Sequence, residues 1–115
     1  MIKQIVITFV VFLGCSLAQA ADLSGVPRIV DGDTLAIGAT KVRLEGIDAP
    51  ETDQVCLNAN GAHWACGIDA RDKLAAHIAG REINCTSSGT DVYRRTLAIC
   101  YLANEDLNAW LVQQG

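Results

Sequence analysis

Apolar and polar residues alternate over three short stretches near the start of the chain, at 26–30, 34–37 and 40–46, which predicts three strands. Gly38-Ala39 falls between the last two and supplies a tight turn. That turn sets Thr34 opposite Arg43 and Asp33 opposite Leu44, so Asp33 and Arg43 become cross-strand neighbours about 5 Å apart. Strict alternation nevertheless points the two side chains to opposite faces, and a bend at Gly32 is required to bring the Asp33 carboxylate round. From 68 to 79 the period changes: Ile68, Ala70, Leu74, Ala75 and Ile78 recur at three- and four-residue intervals, and Gly80 follows as a stop. This predicts an amphipathic helix, on which His77 reads as an ordinary face residue. Two more strands follow at 82–86 and 96–102. Glu105-Asp106-Leu107-Asn108 then opens a second helix carrying Leu107, Trp110 and Leu111. Five strands with helices make the domain mainly β with helices (α+β), a five-stranded barrel of the OB type.

The amino terminus lies outside this pattern. Lys3, an apolar run over 5–13 and Ala18-Gln19-Ala20 read as a secretory signal peptide, residues 1–20, cleaved before Ala21. The run is shorter than the ~20 residues a membrane-spanning helix needs. Lipid attachment at Cys15 is the other alternative. The remaining residues 21–115 form one domain without repeats or linkers, expected to be exported to the periplasm or outside the cell, with no stable membrane association and monomeric.

Losing Lys3 takes the formal charge from −4 to −5. Nonspecific nucleic-acid affinity comes mostly from Lys and Arg, so this balance disfavours tight holding of a long duplex. Arg43, Arg94 and Arg95 still offer a local basic spot. Cys56, Cys66, Cys85 and Cys100 are even in number, and an oxidising destination favours two disulfides. A turn near Val92-Tyr93 puts Cys85 opposite Cys100, and Cys56 with Cys66 closes a polar loop; this is the connectivity expected. A zinc site begun by Cys56, His63 and Cys66 is the less favoured reading.

The chemistry concentrates in Val30-Asp31-Gly32-Asp33-Thr34-Leu35 and Val42-Arg43-Leu44-Glu45-Gly46-Ile47-Asp48-Ala49-Pro50-Glu51. Asp33, Asp48 and Glu51 are hard oxygen donors for a hard divalent cation, and Arg43 presents a planar fork to a phosphate. Singly, each residue also fits a turn or a solvated surface. Jointly they suit metal-assisted phosphodiester hydrolysis.

Several separated pieces, in order, resemble the staphylococcal nuclease-like (thermonuclease) family: Asp31-Gly32-Asp33-Thr34, Arg43-Leu44, Ile47-Asp48-Ala49-Pro50-Glu51, Asp91-Val92-Tyr93-Arg94-Arg95-x-Leu97-Ala98, and Asp106-Leu107-Asn108-x-x-Leu111-Val112-x-x-Gly115. The insert from Cys56 to Cys66-Gly67 is similar to that of secreted rhizobial-type members, some labelled as succinoglycan biosynthesis proteins. The resemblance implies that Asp33, Asp48 and the Ala49 carbonyl bind Ca²⁺. It implies that Glu51 positions or deprotonates the attacking water and that Arg43 and Arg95 hold the phosphate, with Tyr93 left to stack on the substrate. DNA or RNA, single-stranded or flexible, would be that substrate. Two departures stand out. Arg94 occupies a turn position where the family has glycine, and family members continue past Gly115 with a further helix. The alternatives are a non-catalytic OB module linked to exopolysaccharide biosynthesis, or an inactive truncated homologue.

Overall fold

The first strand predicted from alternation, 26–30, is found as Arg28–Asp31 in the computed structural model, which describes residues 4–6, 8 and 22–115, and another strand precedes it. β1 (Asp22–Gly25) and β2 (Arg28–Asp31) are separated at Val26-Pro27, where proline removes a ladder donor. β1 lies before the alternating stretch and has no counterpart in the predicted elements. Its partner is β7 (Ile83–Thr90), whereas β2 pairs with β3 (Thr34–Ile37), both antiparallel. β3 continues to β4 (Thr40–Leu44), which runs parallel to β8 (Thr96–Leu102), and β8 pairs antiparallel with β7. The path β2-β3-β4-β8-β7-β1 therefore starts and finishes in one segment, residues 22–31, and the sheet curls into a barrel. Counting β1 and β2 as one broken strand gives the five strands of an OB-type barrel. Cys15 and the proposed signal peptide, apart from residues 4–6 and 8, fall on residues outside those described.

Register follows the expectation where the turn is tight. Thr34 pairs with Arg43, and the Leu44 N–H donates to the Asp33 carbonyl at 2.8 Å. β4 ends at Leu44, two residues before Gly46, because Glu45 and Gly46 turn away and Gly46 takes a positive φ of 76°. In the second hairpin Cys85 pairs with Cys100, although β7 runs on to Thr90 and a bulge at Ser88 shifts the register nearer the turn. The Cys85–Cys100 disulfide spans 15 residues of sequence and lies inside the core. A loop of that length is worth about 3 kcal/mol on the chain-entropy account.

The barrel interior holds Leu35, Val42, Leu44, Ile83, Ala98 and Leu102, and Leu74 and Ile78 of α1 (Cys66–Ile78) and Leu107 of α2 (Leu107–Gln114) join them. Each fully buried aliphatic side chain contributes about 1.5–3 kcal/mol. α1 starts two residues before the periodicity suggests. Its end is as expected, with Ala79 in the left-handed region and its N–H on the Ala75 carbonyl. α2 is capped by Asp106, whose carboxylate accepts the Ala109 N–H at 3.0 Å. Buried Asn108 locks α2 to the sheet. Its amide donates to the Glu45 and Ala98 carbonyls and accepts the Cys100 N–H.

Two smaller features complete the fold. β5 (Cys56–Leu57) and β6 (His63–Trp64) form a separate hairpin, and Cys56 is bonded to Cys66 at the start of α1. The zinc reading of Cys56, His63 and Cys66 is thereby displaced, since both sulfurs are consumed. β9 (Glu105–Asp106) adds to β8. His77 is more than a face residue: its ring stacks on Trp110 with centroids 3.8 Å apart, and its Nε2 meets the Glu105 carboxylate. Among the described residues no helix is long and apolar enough to cross a membrane.

Candidate active site

Residues 32 and 33 form the turn between β2 and β3, and this removes the difficulty of the opposite faces. Outside a regular ladder, Asp33 need not obey strand alternation, and its Oδ2 meets Arg43 Nη1 at 2.9 Å. Gly32 contributes in a different way from that expected. A Cβ there would lie 2.8 Å from the Ala70 Cβ and 2.9 Å from the Ala49 Cβ, so its bare backbone lets α1 and the 47–50 segment close on the turn. The need is for space.

Asp33 is only 8% exposed, and both its oxygens are engaged. Oδ1 accepts from the Thr34 hydroxyl at 2.8 Å, while Oδ2 accepts from Arg43 and, at 3.1 Å, from the Ala49 N–H. Arg43 also donates to the Ile47 carbonyl, which fixes its guanidinium against the loop. Thr34 reaches the other arginine as well, accepting from Arg95 Nη1 at 3.5 Å. Arg43, Asp33, Thr34 and Arg95 thus form one polar chain across the barrel surface.

Asp91 sets up Arg95. Its Oδ1 accepts the N–H groups of Tyr93 and Arg95, and its Oδ2 accepts Arg95 Nε at 2.7 Å. Desolvation raises the Asp91 pKa, but the backbone and side-chain bonds from Arg95 and the Tyr93 N–H outweigh it and hold the carboxyl below its usual value. Arg94 adopts φ 64°, the left-handed conformation that glycine would take at no cost. The turn keeps this geometry with arginine in place, and Arg95 still faces the cleft.

The residues proposed from the sequence converge in part. Asp33, Arg43, Asp48, Ala49, Glu51 and Arg95 line one polar cleft of ≈ 360 Å³, together with Asp31 and Gln54. Tyr93 stands outside it on the hairpin tip, 76% exposed, with the Arg95 guanidinium 5.4 Å from its ring centre. The cysteines lie elsewhere, in the core and beside α1. Sequence reasoning missed the supporting roles of Asp31, Gln54 and Asp91. Asp31 Oδ1 accepts the Thr52 N–H at 3.0 Å, and Gln54 Oε1 accepts the Glu51 N–H at 2.6 Å. Only Asp91 carried a readable signal, as an Asx-turn residue four positions before an arginine.

With this geometry in place, comparison with known proteins is decisive. Residues 41–115 match the model of the family described as staphylococcal nuclease homologue. The chain belongs to this family. It is 38% identical over 98 residues to the succinoglycan biosynthesis protein ExoI of Rhizobium meliloti (strain 1021), covering 84% of this chain and 51% of that protein. Similarity to the micrococcal nuclease of Shigella flexneri is 34% identity, over 91% of this chain and 63% of the relative. The thermonuclease of Staphylococcus intermedius is 31% identical over 78% of this chain and 55% of its own length. The chain thus spans between half and two thirds of these relatives. The family match includes Arg43, Asp48, Glu51 and Arg95 and begins after Asp33.

Proposed function

We propose that the domain is an exported, Ca²⁺-dependent nuclease hydrolysing phosphodiester bonds of DNA or RNA, acting as a monomer on single-stranded or flexible strands. One observation carries the reading: four carboxylates and two arginines share a single polar cleft. Carboxylates alone would repel a phosphodiester, and arginines alone would bind it without activating water. The mixture supplies both functions.

The donor set suits a hard cation. Asp33 and Asp48 offer carboxylate oxygens, and each carboxylate keeps acceptor capacity beyond its present bonds. Among the described residues, no three acidic, histidine or cysteine side chains converge as a closed metal cage. Asp33, Asp48 and the Ala49 carbonyl are assigned to hold it, although the contact seen at Ala49 is its N–H on Asp33. A bound Ca²⁺ would supply Lewis-acid polarisation of the phosphoryl oxygen.

The protein's own groups would do the rest. Glu51 has no hydrogen-bonded partner on its carboxylate among the described residues, and it takes the proton of the attacking water as general base. Arg43 and Arg95 bind the phosphate oxygens and offset the charge that builds there, as preorganised donors must. Their aim is set beforehand by Asp33 and Asp91. Tyr93 offers a ring on which a base can stack beside Arg95. Both cysteine pairs are bonded in the structure, which supports an oxidising destination for residues 21–115 after loss of residues 1–20.

A second reading has its own support. Asp33 is already paired with Arg43 and Arg95 with Asp91, as in a stabilising network, and one relative's name refers to succinoglycan biosynthesis. A non-catalytic module in polysaccharide assembly would look like this. The test is cleavage of single-stranded DNA and RNA with Ca²⁺ or chelator, beside Asp33→Ala. Chelator-sensitive cleavage lost in the variant is expected; silence from cooperatively unfolding protein would favour the module.

A further inference from the structure

Gly67 presses on the peptide that follows Glu51. A Cβ at Gly67 would lie 1.6 Å from the Glu51 carbonyl oxygen and 2.9 Å from the Thr52 Cα, closer than real Cβ atoms approach anything. The first turn of α1 is therefore in backbone contact with the loop that carries Glu51. Cys66, the residue before, is bonded to Cys56, and this closes the chain between loop and helix into a ring of ten residues' separation.

Gln54 joins the two sides. Its Oε1 accepts the Glu51 N–H at 2.6 Å, its own N–H donates to the Glu51 carbonyl at 2.9 Å, and its carbonyl accepts the Gly67 N–H at 3.4 Å. On the far side, Thr52 donates to Asp31 Oδ1. These bonds hold the backbone of residues 51–52 from both directions. Among the described residues nothing holds the Glu51 carboxylate directly, so the direction of that side chain depends on how firmly its backbone is held.

We propose that Gln54, Gly67 and the Cys56–Cys66 bond form a positioning clamp that aims Glu51 into the cleft. The inference rests on Glu51 being the general base. It gives the two disulfides different roles, since Cys85–Cys100 joins two strands inside the core, whereas Cys56–Cys66 fixes a loop of the active site. Gln54 lines the cleft, but its Oε1 is turned to the Glu51 N–H, and Gly67 and the disulfide are not among the cleft residues. All three act through Glu51 alone, and a misplacement of about 1 Å at such a group can cost on the order of 100-fold in rate.

The experiment is steady-state cleavage of single-stranded DNA by the full chain with saturating Ca²⁺. The variants are Gln54→Ala, Gly67→Ala and the pair Cys56→Ser with Cys66→Ser, each alone and combined with Glu51→Gln. Expected is a fall in kcat of about 10- to 100-fold with KM changed less than about twofold. Combined with Glu51→Gln, the same substitutions should lower kcat further by less than about twofold, because the clamp has nothing left to aim. Equal losses in both backgrounds would mean simple destabilisation and overturn the clamp, as would full kcat in the serine pair. Should the serine pair not unfold cooperatively, Gln54→Ala, at an exposed position, decides by the same comparison. Wild-type kcat in Glu51→Gln alone would instead overturn the role of Glu51 itself.

Discussion

The floor and the rim of the cleft are built by different means. On the floor, Thr34 and Arg43 sit in the β3–β4 ladder, and Asp33 is tied to the same ladder through its carbonyl. Their positions are as fixed as the barrel core. On the rim, Glu51 and Arg95 sit on a loop and a hairpin end, held by side chains of Gln54 and Asp91 that bond to backbone. A floor residue can be displaced only by deforming the sheet, whereas a rim residue moves when one or two surface hydrogen bonds are lost. The two arginines proposed to share the phosphate are thus held by different means, Arg43 through the sheet and Arg95 through Asp91, while Glu51 is held through its backbone.

Substitutions can break or sharpen this contrast. The largest effect is expected on the rim, where Glu51→Gln should lower turnover by about 10²–10⁴-fold, the usual contribution of a general base. Ca²⁺ affinity, measured by calorimetry, should barely change. Equal loss of both would assign Glu51 to the cation and blur the distinction. On the floor, Arg43→Lys should cost about 10²-fold in turnover, since an ammonium cannot reproduce the fork that reaches both Asp33 and a phosphate. Unchanged rates would remove Arg43 from catalysis.

Asp91→Asn should have a moderate effect, about threefold to tenfold on turnover, in keeping with loss of a charge-assisted bond to Arg95. It also carries a pH signature. Because the folded pKa of Asp91 is depressed, its contribution is present above the ordinary carboxyl value and is lost as pH falls through the folded one. The Arg95 Nε–H signal in NMR should therefore shift on acidification below about pH 4 in the natural protein. A similar shift in the Asn variant would exclude Asp91 as its source. The smallest effect belongs to Arg94→Gly, which should raise stability by about 1 kcal/mol by relieving the left-handed residue, with activity retained. Lost activity would instead give Arg94 a place on the substrate.

The same contrast separates what could be read from the sequence. The Gly38-Ala39 turn determined that Thr34 faces Arg43, and the Cys85–Cys100 pairing followed from counting residues about a turn. Next to the turn Thr90 pairs with Thr96, a register centred on Tyr93 that would set Cys85 opposite Tyr101, and the extra residue at Ser88 restores the Cys85–Cys100 pairing expected from a turn near Val92-Tyr93. The register of the β3–β4 ladder is local, and local pattern predicts it. The side on which Asp33 emerges was not legible, since it depends on a turn that closes only when Ala49 and Ala70 pack over Gly32. Nor were the partners of His77, or the spacing required at Gly67, because each depends on an element many residues away. β1 was not legible for a similar reason: its four residues lie before the alternating stretch, and they form a strand by pairing with the distant β7.

Closure by residues 22–31 bears on aggregation. An open sheet presents rows of unpaired N–H and C=O groups that can recruit another chain, and a closed one does not. Here a single segment covers both such rows, one with each half. Detaching it would expose two sticky borders together, at β3 and β7, and would invite strand exchange between molecules. The exposed Val26 lies at the break between the two halves, so a cut there would leave β1 held by its ladder with β7 alone while β2 stays joined to β3.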